Sequence, residues 1–260
     1  MEVTVNGKRE DVTEGTCIFQ LKQEADVVIY NGYQVQEDLP LQPGDRVVLI
    51  QKGVMPQKEE LEEMMAARHT PNVHEKMKKA KVAVAGLGGL GSNVALLLAR
   101  MGVGELFLVD FDVVEPSNLN RQSYFISQLG MEKTKAMEDL IAQVNPYLTV
   151  KTAQVKVQEE NAAKLFAGYP IVCEAFDDPV AKALLVNTLL DRCPETKIVA
   201  ASGMAGLGSA NAIQTRQVFS NLYLCGDETA EAGPGQGLMA PRVAVCAAHQ
   251  ANLIVRLILE

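Results

Sequence analysis

The sequence predicts an α/β protein in which a doubly wound, Rossmann-like, mainly parallel sheet is preceded by a small α+β unit. From Lys81 onward, apolar strand patterns alternate with amphipathic helix patterns, which is typical of a parallel sheet with helices on both faces. The segment 1–55 instead carries two hairpin signals around one short helical stretch. We therefore predict a small domain over 1–55, a helical linker over 56–80 and a large domain over 81–260.

Charge and hydropathy exclude several classes of function. The formal net charge is −8, which argues against non-specific nucleic-acid binding and against an anionic membrane surface as partner. No basic-then-apolar leader opens the sequence, and no apolar run approaches the ~18 to 20 residues that span a bilayer. We therefore expect a cytoplasmic protein that binds neither nucleic acid nor membrane.

The elements of the small domain follow from turn signals. "MEVTVNGKRE" alternates apolar and polar residues around Asn6-Gly7, which predicts a hairpin. The segment from Cys17 to Ala25 is expected to be a short helix. "DVVIYNGYQV" predicts a strand, an Asn-Gly turn and a second strand, and "LQPGDRVVLIQ" predicts a turn and a last strand.

The linker is predicted to be one helix. "MPQKEELEEMMAARHTP" places Pro56 at a helix start, with acidic residues in the first turns, and the helix is expected to end before Pro71.

The large domain is predicted to alternate strands and helices to its end, interrupted in one place by a long mobile loop, "CGDETAEAGPGQGLMAP". The strand patterns are "KVAVA", "ELFLVD", "PIVCEAF", "KIVAASG" and "NAIQTRQVF". The helix patterns are "GSNVALLLARMG", "MEKTKAMEDLIAQVN", "PVAKALLVNTLLDR" and "PRVAVCAAHQANLIVRLIL".

A glycine-rich turn links the first strand of this domain to its first helix. In "VAVAGLGGLGSN", Gly86, Gly88 and Gly91 form the G-x-G-x-x-G pattern, with Gly89 in the same turn. Such glycines let the backbone approach a phosphate at a helix N-terminus. Asp110 ends the next strand about 20 residues on, where an acid accepts hydrogen bonds from ribose hydroxyls. These features indicate an adenine nucleotide, and taken alone they are typical of a nicotinamide dehydrogenase.

The polar segment "DFDVVEPSNLNRQSYF" favours a different chemistry. Hydride transfer needs no cluster of phosphate-binding side chains after the ribose acid, whereas phosphoryl or nucleotidyl transfer needs cations and amide donors around the phosphates. Arg121 and Lys133 are suitable cations, and Asn118 and Gln122 are suitable donors. Lys133 lies at a helix start, where a positive side chain is intrinsically unfavourable.

The residues from "GLGGLGSNVALLLARMG" through "DFDVVEPSNLNRQSYF" to "GMEKTKA" closely resemble the ThiF/MoeB/HesA family, bacterial relatives of the adenylation domain of ubiquitin-activating enzymes. The resemblance covers 68–260. It implies binding of ATP with magnesium and adenylation of the C-terminal glycine carboxylate of a small β-grasp sulfur carrier. "RHTPNVHEKMKKAKVAVAG", "LCGD" and "APRVAVCAAHQAN" are most similar to short ThiF-type proteins of thiamine biosynthesis.

The resemblance also implies roles for residues in and around the nucleotide site. The nucleotide loop would contain Gly88, Asp110 would bind the ribose, and Asn118, Arg121 and Lys133 would contact the phosphates. Asp112 would order the loop or the metal shell.

Two further regions receive roles from the same resemblance. In "EAFDDPVAK", Asp177 would bind magnesium, with Asp178 as the alternative, and Lys182 replaces a usual arginine. Either acid also suits a helix N-cap before Pro179. Arg68, in the linker, resembles an arginine that reaches into a neighbouring subunit's ATP site. The resemblance implies a homodimer with composite sites, in which the linker over 56–80 acts as the dimer arm.

The cysteines depart from part of the family pattern. The family often holds a structural zinc on two C-x-x-C pairs, and the five cysteines here form no such pair, so no zinc is expected. Some members trap the carrier on a loop cysteine, for which Cys225 is the placed candidate. The alternative is that Cys225 is a buried core thiol.

The segment 1–55 resembles the sulfur carriers themselves, with a ThiS-like β-grasp fold implied by "VIYNGYQV" and "LQPGDRVVLIQKG". Carriers end in a free Gly-Gly, whereas Gly53 is followed by Val54 here, so this unit cannot be the substrate as encoded. We expect a regulatory, stabilising or carrier-mimicking module.

The predicted reaction is attack of a carrier carboxylate on the α-phosphorus of ATP, with loss of pyrophosphate, giving an acyl-adenylate for a sulfur donor. Positioning and electrostatics would carry this step. The alternatives are activation of a molybdopterin carrier or another sulfur-insertion pathway, a dehydrogenase, and a non-catalytic nucleotide-binding scaffold.

Overall fold

The computed structural model describes the backbone of residues 1–260 and all side chains except those of residues 58, 59 and 71. The chain divides into two compact units, Met1–Lys76 and Met77–Glu260. Most of the residues between 56 and 80 thus group with the first unit, while the domain limits at 55 and 80 remain predictions.

The first unit is a five-stranded sheet with strand order β2-β1-β5-β3-β4. Asn6 and Gly7 adopt left-handed φ values of 46° and 81°, which closes the predicted β1–β2 hairpin. The first and last strands pair in parallel, and the other pairs are antiparallel. The strands are β1 (Glu2–Val5), β2 (Lys8–Asp11), β3 (Val27–Tyr30), β4 (Tyr33–Gln34) and β5 (Arg46–Ile50).

One helical prediction for this region is wrong in extent. The helix expected from Cys17 to Ala25 is only a 3-10 turn over Ile18–Gln20, because Gln23 turns the chain with a left-handed φ of 42°. The linker contains two helices, α1 (Lys58–Met65), which ends before Pro71 as predicted, and α2 (Pro71–Lys79), which follows it. The first of them begins shortly after Pro56 and ends with Ala66 as its C-cap.

The second unit is a seven-stranded sheet with strand order β11-β12-β10-β9-β6-β7-β8. All neighbouring pairs are parallel except β11–β12, which is antiparallel. The strands are β6 (Lys81–Ala85), β7 (Glu105–Asp110), β8 (Thr149–Gln154), β9 (Ile171–Glu174), β10 (Lys197–Ala201), β11 (Gln214–Phe219) and β12 (Leu222–Gly226). The predicted doubly wound fold is confirmed.

The helices of this unit cover the sheet and define where a ligand can bind. They are α3 (Gly89–Arg100), α4 (Lys133–Val144), α5 (Glu159–Phe166), α6 (Pro179–Arg192) and α7 (Ala240–Leu259). α3 packs against α4 and α7, and α5 packs against α6. The strand order reverses between β6 and β9, and ligands of open α/β sheets bind in the crevice at the carboxyl ends of such strands.

β8, α5 and β12 are elements that the sequence patterns do not predict. β8 is a sheet-edge strand in which no residue is buried, so it lacks the apolar run that marks the central strands. β12 overlaps the predicted long loop, and the strand holds its place by pairing with β10 and β11.

The expectation that no apolar run approaches the length of a membrane span is wrong for α7, which is long and apolar enough to cross a membrane, judged by length and composition only. Half of its most apolar 18-residue window is buried inside the protein, and core helices of soluble proteins pass the same test. Its apolar length therefore has a structural explanation in its packing on α3 and the sheet.

Candidate nucleotide-binding site

The glycine-rich turn leaves an open space at the N-terminus of α3. Gly86 has a left-handed φ of 92°, and a Cβ on Gly91 would lie 1.8 Å from the Gly86 carbonyl oxygen, so both positions need glycine. A Cβ on Gly88, by contrast, would have only Gln122 Nε2 near it, at 3.9 Å. Gly88 is the N-cap of α3, and no side chain caps this helix. The first amides of α3 therefore face a space suited to an anion.

Asp110 connects the glycine turn to the segment that follows β7. Its Oδ2 accepts the Leu87 amide at 2.6 Å, and its Oδ1 accepts the Asp112 amide at 2.8 Å. Burial raises the pKa of this carboxyl, although the hydrogen bond from Asp112 and the charge of Lys133 oppose the rise. A carboxylate has about four acceptor positions, so Asp110 retains capacity for ribose hydroxyls.

The segment between β7 and α4 folds back over the glycine turn. Tyr124 donates its hydroxyl to the Leu87 carbonyl at 2.9 Å, and a Cβ on Gly89 would lie 3.5 Å from Arg121 Cγ. The Arg121 guanidinium donates to Asn120 Oδ1 at 2.8 Å and to the Ser117 carbonyl at 3.2 Å. Asn118 is buried and its Oδ1 accepts the Glu115 amide.

Gln122 carries an unsatisfied acceptor beside this turn. Its side chain is 8% exposed, and its Oε1 is buried without a hydrogen-bond partner. Because a buried polar atom without a partner is costly, the position is better explained by a ligand or water donor than by packing.

Lys133 is buried at the first position of α4 and forms an ion pair with Asp112, Nζ to Oδ2 3.0 Å. The side chain of the lysine is 7% exposed and that of the aspartate 48%. The Lys133 amide also donates to the Asp112 carbonyl at 3.0 Å. A positive group at a helix start is electrostatically unfavourable, and the pair with Asp112 offsets this cost in part.

The two acids after β9 take different roles in the helix that follows. Asp178 is the N-cap of α6, and its Oδ1 accepts the Val180 amide at 2.8 Å. Asp177 is exposed. The preceding residues approach the glycine turn closely, since a Cβ on Gly86 would lie 2.9 Å from the Ala175 carbonyl oxygen. This geometry leaves the Asp177 carboxylate free of capping.

The fully buried Glu174 and the half-buried Lys182 form an ion pair that is absent from the sequence-based predictions. Glu174 is fully buried at the end of β9, accepts the Phe176 amide at 2.7 Å and pairs with the Lys182 ammonium. Burial raises the pKa of Glu174, with Lys182 opposing the rise. Glu174 therefore fixes the chain that carries Asp177. The signal was in "EAFDDPVAK", where an acid ends an apolar strand and a lysine follows in the next helix.

Arg242 and Asp227 form a second buried pair, missed because the two residues lie on opposite sides of a long loop. Arg242 lies in the first turn of α7 and donates to the Ser209 carbonyl at 2.7 Å. This pair joins the loop after β10 to the loop after β12.

Two further residues that the sequence singled out, Arg68 and Cys225, have contacts of their own. Arg68 belongs to the first unit, is exposed, and donates from Nη2 to Gln34 Oε1 at 3.0 Å. Cys225 does not begin a mobile loop: it is a buried residue of β12, and burial raises its pKa to about 11. A thiol that stays protonated and inaccessible is unsuited to a covalent link, which favours the buried-thiol alternative.

The site fits a nucleotide. Among the side chains that the structure describes, those of the protein alone do not form a complete metal-binding site. Among the residues whose side chains are described, no group of three or more His, Cys, Asp or Glu could hold a metal ion. A magnesium ion bound by one or two carboxylates and by substrate phosphates needs no such group. The uncapped α3 amides and the Lys133 ammonium suit phosphates, while the free Gln122 Oε1 can accept a hydrogen bond from a ligand hydroxyl or a water.

Comparison with protein families gives two matches along the chain. A ThiF family model matches residues 61–260, and a ThiS-like ubiquitin model matches residues 1–53. Together they match the whole chain except residues 54–60.

Similar proteins include two adenylyltransferases. "Adenylyltransferase and sulfurtransferase UBA4" of Candida glabrata is 34% identical over 151 residues, 58% of this chain and 34% of that protein. The chain thus spans about a third of the length of the UBA4 relatives. "Molybdopterin-synthase adenylyltransferase" of Salmonella typhimurium is 31% identical over 190 residues, 71% of this chain and 75% of that protein.

Among solved structures, the fold is similar to that of tRNA N6-threonylcarbamoyladenosine dehydratase, TcdA, of E. coli in complex with ATP. The TM-score is 0.69 at 23% identity, covering 79% of this chain and 96% of that chain. A second similar structure is E. coli MccB with ATP, with a TM-score of 0.57 at 21% identity, covering 78% of this chain and 62% of that chain. At such low identity, both likenesses concern the fold alone.

Proposed function

The chain belongs to the ThiF family and carries a ThiS-like ubiquitin domain, and on that premise we propose that it is an ATP-dependent adenylyltransferase for a sulfur carrier protein. It activates the C-terminal glycine carboxylate of a ThiS-like β-grasp carrier as an acyl-adenylate and releases pyrophosphate. Thiamine biosynthesis is the proposed pathway, a sulfur donor protein is the second partner, and the location is cytoplasmic.

One observation carries this proposal. Lys133 is buried at the start of α4, directly after the segment that folds over the glycine turn. A dehydrogenase has no use for a buried cation at that place, whereas transfer at the α-phosphorus develops negative charge that a cation stabilises. The similar UBA4 and molybdopterin-synthase proteins are named adenylyltransferases, which agrees with this chemistry.

The roles of the side chains follow from their positions. Asp110 accepts hydrogen bonds from the ribose, while the α3 amides and the Gln122 Nε2 group, which lies beside Gly88, donate to phosphate oxygens. Arg121 and Lys133 neutralise charge on the phosphates, and Asn118 donates to them. Asp112 holds Lys133 in place through the ion pair at 3.0 Å.

Asp177 is the proposed magnesium ligand, because Asp178 is already used as the α6 cap. When bound, magnesium supplies further positive charge at the phosphates. In the proposed homodimer, Arg68 contributes to the neighbouring subunit's ATP site, so that each site is composite.

A second candidate is activation of a molybdopterin-type carrier. It is favoured by the 31% identity to the Salmonella molybdopterin-synthase adenylyltransferase over 75% of that protein. The ThiS-like first unit favours the thiamine-type carrier instead, since it is similar to that class of carrier.

Exchange of labelled pyrophosphate into ATP tests the function directly. Exchange is expected with a ThiS-type carrier ending in Gly-Gly, and faster exchange with a molybdopterin-type carrier would favour the second candidate. Without exchange with any Gly-Gly carrier, a non-catalytic scaffold would be the better explanation.

Lys133→Ala and Arg121→Ala are expected to lower this exchange about 100- to 1,000-fold, because each removes a charge that stabilises the transition state. Lys135→Ala is the matched control, since Lys135 is exposed on the same helix and pairs with Glu138 and Asp139 at the surface. A loss below about threefold would remove the residue concerned from the site.

A further inference from the structure

Both faces of the first unit's sheet are covered within that unit. Alternate residues of a strand point to opposite faces. Val28 and Val47 pack into one core together with Ile18. Ile29 and Val48, their neighbours in sequence, point the other way and are 3% and 6% exposed.

The cover on the second face is the segment between the sheet and α2, residues 58–70, which we call the arm. Ala67 is 6% exposed and packs with Ile29 and Val48, and Met64 packs against the same cluster. The arm is thus held on the sheet by an apolar contact of the kind that stabilises a domain core.

Polar contacts fix the arm's register on the sheet. Lys8 pairs with Glu60 at 2.7 Å, and Arg46 pairs with Glu63. The β1–β2 turn lies close beneath the arm, because a Cβ on Gly7 would lie 2.5 Å from Glu63 Cγ. The arm can therefore not slide along the sheet without breaking several specific contacts.

Arg68 lies at the end of the arm, and its own contact is with the sheet. Its Nη2 donates to Gln34 Oε1, in β4, at 3.0 Å. The next residues pass close to the turn before this strand, since a Cβ on Gly32 would lie 3.5 Å from the His69 carbonyl oxygen. The sheet thus holds Arg68 through its side chain and through the backbone on its C-terminal side.

We infer that the ThiS-like unit is a brace that positions Arg68, with Gln34 as the positioning residue. The inference rests on the proposed role of Arg68 in an ATP site. A flexible arginine at the end of an unsupported helix would occupy its working position for only a fraction of the time. Binding the arm to a folded sheet removes that freedom before ATP arrives. The face of the sheet on which the arm packs is then already occupied, and it is not free to bind in a carrier groove.

Gln34→Ala tests this inference in the full-length protein. The variant removes the hydrogen bond that orients the guanidinium, so kcat for pyrophosphate exchange with a ThiS-type Gly-Gly carrier should fall about three- to tenfold. The KM for that carrier should change little. Gln34→Glu keeps an acceptor for the guanidinium and should retain activity. Gln36→Ala, at a nearby exposed glutamine, is the matched control.

A double-mutant cycle separates positioning from general damage. If Gln34 acts through Arg68, Gln34→Ala should add no further loss to Arg68→Ala. Hydrogen exchange at residues 66–70 should be faster in Gln34→Ala than in Gln36→Ala.

The outcomes distinguish the two proposals. The brace would be overturned if pyrophosphate exchange were slow in Arg68→Ala and normal in Gln34→Ala, or if the two losses simply added; the role of Arg68 would then still stand. If exchange were normal in Arg68→Ala, both the role of Arg68 and the catalytic purpose of the brace would be overturned. The proposed function would still be tested separately, by pyrophosphate exchange in the wild-type protein.

Discussion

Asp110 joins the two halves of the candidate nucleotide site through one carboxylate. It accepts an amide from the glycine turn and an amide from the segment after β7, at 2.6 and 2.8 Å. Its burial raises its pKa, so the charged form that these amides and a ribose require is lost at a higher pH than for an exposed aspartate. ATP binding should therefore depend on the protonation state of the Asp110 carboxyl.

We expect the affinity for ATP to fall as the pH is lowered into the range where Asp110, whose pKa is raised by burial, becomes protonated, because protonation removes an acceptor for the ribose hydroxyls. The pKa of Asp110 is higher in the folded protein than in the unfolded chain, so the protonated carboxyl also stabilises the fold. This stabilisation is complete at pH values below the pKa of Asp110 in the unfolded chain, and it is lost as the pH rises through the raised pKa of Asp110 in the folded protein. Titration calorimetry with ATP measures the affinity. An equal pH dependence in Asp110→Asn would assign the effect to the nucleotide instead.

The division of roles between Asp177 and Asp178 gives a second prediction at this scale. Asp177→Ala should require far more magnesium for pyrophosphate exchange, because it removes the proposed carboxylate ligand. Asp178→Ala should lower the free energy of unfolding by about 1 kcal/mol through loss of the α6 cap, with little effect on the magnesium requirement. Magnesium titrations and urea denaturation of both variants distinguish them. The reverse pattern would move the metal role to Asp178.

Among the elements, α7 does more than fill the core. Its first turn carries Arg242, which is 5% exposed and pairs with Asp227 after β12. Asp227 in turn accepts the amides of Thr229 and Ala230 at 2.9 and 2.8 Å. The loop that was expected to be mobile is thus anchored at its start to a helix of the core.

We expect Asp227→Ala to lower the free energy of unfolding by about 3 kcal/mol, because it leaves the buried Arg242 guanidinium without its partner. Glu228→Ala is the matched control: it removes a neighbouring, exposed carboxylate that pairs with Arg216, and should cost less than about 1 kcal/mol. Urea denaturation measures both. Equal losses in the two variants would show that the buried pair is not what anchors the loop.

For the whole molecule, the decisive question is what the ThiS-like unit contributes. Deleting residues 1–55 removes the sheet on which Ala67 and Met64 pack. We expect the arm to lose its order and exchange activity to fall, with the affinity for the free carrier unchanged. Calorimetric titration with the carrier and hydrogen exchange at residues 58–70 check this. Tighter carrier binding in the truncated protein would support a carrier-mimicking unit.

Much of the fold followed from local patterns. The Asn-Gly turns, the strand–helix alternation and the glycine pattern each depend on residues close in sequence. The missed elements lacked such a local signal: β8 is an exposed edge strand and β12 is short and flanked by a glycine-rich loop. Their strand structure depends on pairing with partners far along the chain.

The sequence by itself determined the fold class, the hairpins of the first unit, and the proximity of Asp110 to the glycine turn, because periodicity and turn chemistry are local properties. Only the tertiary structure decided that Cys225 is buried, that Asp178 is a cap, and that Arg68 is held by Gln34. It also decided that Glu174 pairs with Lys182 and that Arg242 pairs with Asp227. Burial and hydrogen-bond partners depend on residues brought together from distant parts of the chain, and no local pattern encodes which of them meet.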